Sequence, residues 1–239
     1  MSAGGYRAIV TDGLIFEVDP SNNLSDNVTN VKNIVTPTMV GSMDNGLVVT
    51  NNNYVCDGVD NNIDFGDVLD MGTSDYTIES WINISANSGN DWFISKAIAN
   101  VSNYRYGFGI SKQGGNSKLF SVVEGNFAGA GTAKVPLGDT TLVHGVWYQV
   151  TMVIDRSGFI SYRIDAQPES LTGDADISAW DGLDFNSSDP LRVGSYSDAG
   201  GTNPSNAFNG LLGLQKIYNR VLTQSESEQN YEATKYRFQ

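Results

Sequence analysis

Apolar and polar residues alternate along most of the chain, which is the pattern of β-strands with one buried face. The most regular stretch, residues 76–84, places large apolar side chains at alternate positions and also carries Trp81 on the opposite face. Apolar side chains on both faces are typical of a strand inside a sheet. We therefore predict a central strand over residues 76–84.

Two neighbouring runs predict a β-hairpin. Residues 148–154 place Tyr148, Val150, Met152 and Ile154 on one face, and residues 159–165 repeat that alternation. The turn-forming sequence 155–158 separates the two runs, as in a tight hairpin connection.

Residues 104–110 predict a strand with one bulky and one bare face. Its large side chains are Tyr104, Tyr106, Phe108 and Ile110, and glycines at 107 and 109 alternate with them. Glycine in a strand leaves room for a facing ring or backbone.

Further strands are predicted at short spacing between turns rich in Gly, Pro and Asn. They cover residues 9–19, 47–49, 54–56, 63–65, 92–95, 119–124, 191–195 and 208–218. The triplet 51–53 is three asparagines and predicts a turn. These elements together predict an all-β, antiparallel sandwich in one domain over residues 8–239, preceded by an arm of residues 1–7.

The C-terminal part of the chain predicts a helix over residues 224–235. Thr223 is a suitable N-cap, and Glu226 three positions later completes a capping box. The helix is mostly polar, with Tyr231 as its main apolar anchor. We therefore expect it to dock on the edge of the sandwich.

The formal charge of −13 makes the chain a poor partner for nucleic acids and anionic lipids, which would repel it. The sequence contains no apolar run long enough to span a membrane and no signal-like start. We expect synthesis and release in a cytoplasm. Cys56, the single cysteine, is predicted to be a small buried hydrophobe.

Four motifs in order resemble the concanavalin A-like, laminin-G-like jelly-roll family. They are Asp57-Gly58-Val59-Asp60, Tyr76-Thr77-Ile78-Glu79-Ser80-Trp81, Gly145-Val146-Trp147-Tyr148-Gln149-Val150, and Phe208-Asn209-Gly210 with Ile217-Tyr218-Asn219-Arg220-Val221-Leu222. The resemblance implies a jelly roll with a short C-terminal helix. Ser227 stands where members usually carry a branched apolar residue, which predicts loose packing of that helix.

The first and last segments of the domain resemble one particular group within this family. The opening Ile9-Val10-Thr11-Asp12-Gly13-Leu14 and the ending 230–238 are similar to the version that tailed phages, especially marine cyanobacterial ones, encode among virion proteins. This implies a location in the virion, displayed as a capsid decoration or accessory protein. The expected partners are other virion proteins, above all the major capsid protein. Met1–Tyr6 would then be a docking arm, and homo-oligomers are left open.

No residue set predicts catalysis. A retaining glucanase needs paired carboxylates, and Glu17 with Asp19 has no third acid nearby. Glu79 and Glu124 are interpreted as solvated strand acids, and His144 as a turn residue without triad partners. We predict no catalytic or cofactor-binding residue; hydrolysis of glycosides is the least favoured of the alternatives.

Calcium is the one cofactor that the sequence leaves open. Asp57, Asp60 and Asn61 offer hard oxygen ligands on one turn. The alternative is that these side chains close an Asx-type turn. The second is the interpretation we favour.

Aromatic side chains could serve as platforms for sugars, because rings stack on the apolar faces of pyranoses. The candidates are Trp81, Trp92, Trp180 and the tyrosines at 104, 106 and 196. Trp180 and Tyr196 lie in loop-rich stretches, so we predict that these two are exposed and the others are in the core. A glycan-binding adhesion module of a tail, or a free lectin, is the alternative to the capsid role.

Overall fold

The computed structural model describes residues 8–22, 26–27, 29–86, 89–97, 105–113, 115–125, 133–198 and 203–238. The predicted arm of residues 1–7 and the candidate Tyr104 lie outside the described residues. No helix in the described ranges is long and apolar enough to cross a membrane.

Short and long strands account for most of the described chain. In the first half they are β1 (Leu14–Val18), β2 (Asp26–Asn27), β3 (Asn30–Lys32), β4 (Val40–Asp44), β5 (Val48–Thr50), β6 (Asn53–Asp57), β7 (Asn62–Asp64), β8 (Tyr76–Ile84), β9 (Asn90–Lys96), β10 (Arg105–Gln113) and β11 (Asn116–Glu124). In the second half they are β12 (Ala133–Lys134), β13 (Leu137–Gly138), β14 (Trp147–Ile154), β15 (Ile160–Ile164), β16 (Gln167–Glu169), β17 (Leu171–Thr172), β18 (Leu191–Val193), β19 (Tyr196–Ser197), β20 (Pro204–Ser205) and β21 (Asn209–Tyr218).

The strands form two large antiparallel sheets. The first has the order β16-β15-β14-β8-β21-β6-β5, and β1 also pairs with β21. The second has the order β17-β13-β11-β10-β9-β18-β7-β4-β3-β2, with β12 paired to β11. Strand β8 has a partner on each side, so the prediction of a central strand over residues 76–84 is confirmed.

The core lies between the two sheets and is built from the inward-facing side chains of both. Its fully buried members include Ile78, Ile82, Phe93, Phe108, Met152, Ile154, Leu212 and Ile217. This two-layered antiparallel body is the sandwich that the alternating pattern predicts.

The predicted hairpins are present with definite registers. Met152 pairs with Tyr162 across β14 and β15, and residues 155–159 form the connection. Asn51 and Asn52 connect β5 to β6 with φ of 50° and 61°. Positive φ at both central residues defines a type I′ turn, which asparagine tolerates better than most residues.

The C-terminal helix α1 (Gln224–Thr234) is followed by a 3-10 turn (Lys235–Arg237). The Thr223 side chain accepts from the Glu226 amide and the Glu226 side chain accepts from the Thr223 amide, so the predicted capping box is confirmed. The expected docking position is wrong. The helix lies against the outer face of the first sheet, because Asn230 and Thr234 hydrogen-bond to Glu79 and Trp81 on the central strand β8.

The expectation of a loosely packed helix is also wrong. Ser227 is fully buried, and Arg163 donates to its hydroxyl at 2.8 Å. The buried helix residues Ser227, Asn230 and Thr234 are all polar, while Tyr231 stacks on Trp81 with ring centroids 5.8 Å apart. A small hydroxyl fits here because the sheet face below it is itself polar.

Candidate functional site

The strand acids are buried and paired, which corrects the interpretation of Glu79 and Glu124 as solvated. Glu79 is 1% exposed and lies 2.8 Å from Lys216 Nζ. Glu124 is buried beside Arg105, which donates to it. An outward-facing strand position is solvated only if nothing covers that face, and helix α1 covers Glu79.

The pair formed by Glu17 and Asp19 is engaged in structural contacts. Asp19 accepts two hydrogen bonds from the Arg237 guanidinium, at 2.9 and 2.6 Å, and its Oδ1 also accepts from the Ser21 amide and hydroxyl. Burial raises the pKa of Glu17, and nearby Lys216 opposes that rise. Asp19 is therefore buried in an ion pair, and Glu17 is partly buried opposite Lys216 on the neighbouring strand.

His144 is exposed, and its Nε2 lies 2.9 Å from the Ser117 hydroxyl. The sequence does not link these two residues, because they come from different parts of the chain. A serine nucleophile also needs a group that orients the base. Within the described residues, Ser117 is the hydrogen-bond partner that the structure gives to the ring of His144.

The proposed calcium ligands form a closed turn. Asp57 Oδ1 accepts from the Val59 amide at 2.8 Å, and Asn61 Oδ1 accepts from the Asp57 amide at 2.8 Å. The Asn61 Nδ2 donates to the Asn45 carbonyl at 2.6 Å. Within the described residues, no group of three or more His, Cys, Asp or Glu could hold a metal. Calcium at Asp57 and Asp60 stays a prediction, which melting curves with and without a chelator would test.

The predicted exposure of Trp180 and Tyr196 is wrong. Trp180 is 1% exposed, packs against Phe185, and its carbonyl accepts from Arg156 at 2.7 Å. Tyr196 is 7% exposed and stacks on Trp92 with centroids 5.0 Å apart. A loop-rich sequence does not prevent burial, since large rings gain most by covering the sheets.

The predicted core positions of Trp81, Trp92 and Tyr106 are confirmed, as all three are at most 4% exposed. Among the described residues, the two most exposed aromatic rings are ones that the sequence did not single out as sugar platforms. Tyr236 and Phe159 are each 61% exposed.

Tyr236 lines a pocket of about 290 Å³. The pocket is bounded by three segments that are far apart in sequence, namely the loop after β1, the β5–β6 turn and the C-terminal 3-10 turn. Its lining residues are Ser21, Asn51, Asn52, Asn53, Tyr236, Arg237 and Phe238. We regard it as the candidate functional site.

The C-terminal wall of the pocket is held firmly by two contacts. Arg237 is bonded to Asp19 and donates to the Ser21 hydroxyl at 2.6 Å. The ring of Phe238 stacks on Trp81 with centroids 4.4 Å apart. Because Arg237 and Phe238 are fixed, the backbone next to Tyr236 is held in place, and the exposed ring is preorganised for a ligand.

The opposite wall is the type I′ turn of the asparagine triplet. The Asn53 side chain donates to the Asn51 carbonyl at 2.8 Å, which stiffens the turn. Each asparagine amide supplies both donors and an acceptor. The arrangement therefore combines a ring face with amide and guanidinium groups, which suits a small ligand carrying hydroxyls and an apolar face.

The sequence pattern missed this site. The triplet predicts a turn and nothing more, and the ending 230–238 carries a family resemblance but no signal of a binding site. Only the fold brings these segments together, and the ion pair between Asp19 and Arg237 joins the loop after β1 to the C-terminal turn.

Known proteins resemble this chain over most of its length. The model of the concanavalin A-like lectin/glucanase superfamily matches residues 57–226. No curated protein matches the chain in sequence.

Several solved structures share the fold. The binding domain of Paraclostridial Mosquitocidal Protein 1 superimposes with a TM-score of 0.64 at 15% identity, over 92% of this chain and 52% of that one. Trypanosoma rangeli sialidase in complex with sialic acid gives a TM-score of 0.68 at 15% identity, over 96% and 34%. The binding domain of botulinum neurotoxin serotype D gives 0.64 at 13% identity, over 92% and 51%.

The chain spans between 34% and 52% of the length of these proteins. Identities of 13–15% establish a shared fold and carry no ligand or activity over to this chain.

Proposed function

Because the chain belongs to the concanavalin A-like lectin/glucanase superfamily, we propose that it is a carbohydrate-binding module. Its binding pocket is the one lined by Ser21, the Asn51–Asn53 turn and Tyr236–Phe238. The observation that carries this proposal is the 61% exposed ring of Tyr236 beside three asparagine amides.

The chemistry of the pocket favours a neutral sugar. The Tyr236 ring offers an apolar face on which a pyranose stacks, and the amides of Asn51–Asn53 can donate to and accept from ring hydroxyls. Arg237 is already neutralised by Asp19, so its charge does not select an acidic ligand. A pocket of about 290 Å³ is at the small end for ligand sites, which suits a terminal sugar unit.

Binding is tested on a glycan array followed by calorimetry with the best ligand. Tyr236→Ala removes the stacking surface, and we expect the affinity to fall about tenfold or more, which corresponds to about 1.4 kcal/mol. Phe159→Ala is the matched control, because this ring is equally exposed and does not line the pocket. A blank array, or equal binding by both variants, contradicts the proposal.

We propose that the module does not hydrolyse its ligand. No carboxylate belongs to the set of described residues that line the pocket, and Asp19, which bonds to the lining residue Arg237, is held in that ion pair. Hydrolysis of glycosides by this fold would use two exposed acids. Release of reducing sugar that Glu17→Gln or Glu79→Gln abolishes would contradict this part of the proposal.

The setting we propose for the module is the surface of a tailed-phage virion. The support is the resemblance of residues 9–14 and 230–238 to phage-encoded versions of the domain, with the major capsid protein as the expected partner. Imaging of particles with a labelled chain tests the location. Deleting residues 1–6 tests the docking arm, because undiminished incorporation would remove that segment from the proposal.

A further inference from the structure

A lysine, a glutamate and an asparagine meet beneath helix α1, all shielded from water. Lys216 on β21 and Glu79 on β8 have side chains that are each 1% exposed, and Asn230 on the helix is fully buried. Glu79 Oε2 lies 2.8 Å from Lys216 Nζ and accepts from Asn230 Nδ2 at 2.7 Å. One carboxylate oxygen therefore touches both the amine and the amide.

The amide of Asn230 is held in a fixed orientation by its other contacts. Its Oδ1 accepts from the backbone amide of Val10 at 2.8 Å. Its Nδ2 also donates to the Tyr218 hydroxyl at 3.0 Å, and that hydroxyl donates to the Val10 carbonyl at 3.1 Å. The carbonyl carbon is thus polarised by an N–H on its oxygen, in the manner of an oxyanion hole.

Lys216 is poorly satisfied as an ammonium ion. Its Nζ lies at contact distance from Glu79 Oε2, but the angles do not make a hydrogen bond, and Glu79 Oε1 has no hydrogen-bond partner in the described part of the chain. The Lys216 ammonium also lies over the Tyr218 ring, 5.8 Å from its centroid. A buried ammonium with three donors, one close oxygen and one ring face is still costly. Conversion of the amine to an amide removes that cost, because it removes the charge.

We infer that Lys216 and Asn230 form an intramolecular isopeptide bond, with Glu79 as the catalytic proton carrier. Glu79 accepts a proton from the Lys216 ammonium, which frees the lone pair of Nζ. The Nζ lone pair attacks Cγ of Asn230, and the developing charge on Oδ1 is stabilised by the Val10 N–H.

The bond from Cγ to Nδ2 then breaks. Glu79 passes its proton to Nδ2, and ammonia leaves. Glu79 then takes the surplus proton from Nζ and gives it to the ammonia, so an ammonium ion forms and Glu79 regains its carboxylate form. The products are a secondary amide and one ammonium ion, and no oxidant or cofactor takes part. Catalysis requires only that the three groups be held together in a site without water.

The bond would join helix α1 covalently to β21, an inner strand of the first sheet. The helix has a polar underside, so its docking depends on hydrogen bonds more than on apolar burial. A cross-link between residues 216 and 230 restricts the unfolded chain and prevents the helix from undocking.

The test is the mass of the folded, purified chain. We expect the wild-type protein to be lighter than its sequence by one molecule of ammonia. Asn-Gly sequences can also lose ammonia, so digestion with trypsin must locate the loss. The expected product is a branched peptide in which residues 193–220, uncut at Lys216, are attached to residues 221–235. Full mass, with separate peptides ending at Lys216 and containing Asn230, overturns the inference and leaves an ordinary ion pair.

Two conservative variants assign the roles of the residues. Glu79→Gln preserves the shape of the carboxylate but cannot carry the proton, so the branched peptide should be lost. Glu17→Gln is the matched control, because Glu17 pairs with Lys216 across β1 and β21 and Asn230 bonds to Glu79 instead. The control should retain the cross-link. A branched peptide in Glu79→Gln at wild-type yield would overturn the role given to Glu79.

Discussion

At the scale of single residues, Gly107 is one of the positions where packing leaves no room for a side chain. A Cβ at this position would lie 2.5 Å from Cζ3 of Trp92 and 3.2 Å from Cβ of Ser95. The glycine face of β10 therefore leaves space for the Trp92 ring. The alternation of glycines in the sequence predicts such a facing ring.

Gly107→Ala should lower the free energy of unfolding by about 1–3 kcal/mol, because the Trp92 ring must move. Urea denaturation measures the change. Gly89→Ala is the control, since a Cβ there meets no atom within 4 Å and its φ is not in the left-handed region. Equal stability of the two variants would contradict the role of the Trp92 contact.

Cys56 is a buried thiol, as predicted. Burial, with a smaller effect of Asp57, raises the pKa of Cys56 to about 12. The thiolate is the reactive form, so the folded protein should not react with a thiol reagent at about pH 8. Unfolding in urea should make the thiol reactive, and the rate of labelling can be followed by absorbance. Rapid labelling of the native protein would contradict the buried position.

Glu226, a member of the capping box of helix α1, should make the free energy of unfolding depend on pH in the acid range. The Arg220 guanidinium is the main cause that lowers the pKa of Glu226 from 4.5 to about 2. A carboxylate with a lowered folded-state pKa stabilises the fold above its unfolded value, and this contribution is lost as the pH falls from about 4.5 to 2.

Glu226→Gln should lower stability at neutral pH by about 0.5–1 kcal/mol, since the pair is partly exposed and screened. The variant should also show a shallower loss of stability between about pH 4.5 and 2. Arg220→Gln should have the same effect, and the double variant should add little to either. Denaturant titrations across this pH range provide the measurement, and additive losses would contradict the pairing.

At the scale of elements, helix α1 depends on the segment that follows it. The helix has 11 residues with a polar underside, so it would not be stable alone. Phe238 anchors the C-terminal end of the helix to the sheet. Its ring centroid lies 4.4 Å from that of Trp81 and 4.9 Å from that of Trp147. The C-terminal turn is therefore both an anchor for the helix and a wall of the pocket.

Phe238→Ala should lower the free energy of unfolding by about 3 kcal/mol and should also weaken sugar binding, because the wall is lost. Tyr236→Ala provides the contrast, since its exposed ring should cost less than about 0.5 kcal/mol of stability while binding falls. Unfolding curves and calorimetry on both variants separate the two effects. A large stability loss in Tyr236→Ala would contradict this division.

At the scale of the whole molecule, β21 connects parts of the chain that are far apart in sequence. Its residues 209–212 pair with β6, residues 215–218 pair with β1, and β8 lies along its other edge. The start and the end of the described chain thus share one ladder. The predicted single domain over residues 8–239 should unfold in one step.

Differential scanning calorimetry tests this cooperativity. We expect one transition, with a calorimetric enthalpy equal to the van't Hoff enthalpy. Two resolved transitions would indicate two separately folding halves.

The sequence alone determined the main strands, the C-terminal helix and the all-β fold class. Alternation over residues 76–84, the hairpin turn at 155–158 and the capping box at Thr223 each depend on neighbours in the chain, so a local pattern is sufficient to predict them. The space beside the glycines of β10 is also predictable from a local pattern, because the alternation of glycines with large residues already implies a facing ring.

Only the tertiary structure decided which polar and aromatic groups are buried and which meet. Glu79 is buried because helix α1 covers the outer face of β8. Trp180 and Tyr196 are buried because residues distant in sequence pack against their rings. The pocket around Tyr236 joins residues that are more than 180 positions apart, and the cluster of Lys216, Glu79 and Asn230 joins two strands and a helix. Such contacts follow from the order of strands in the sheets, which no local alternation of residues encodes.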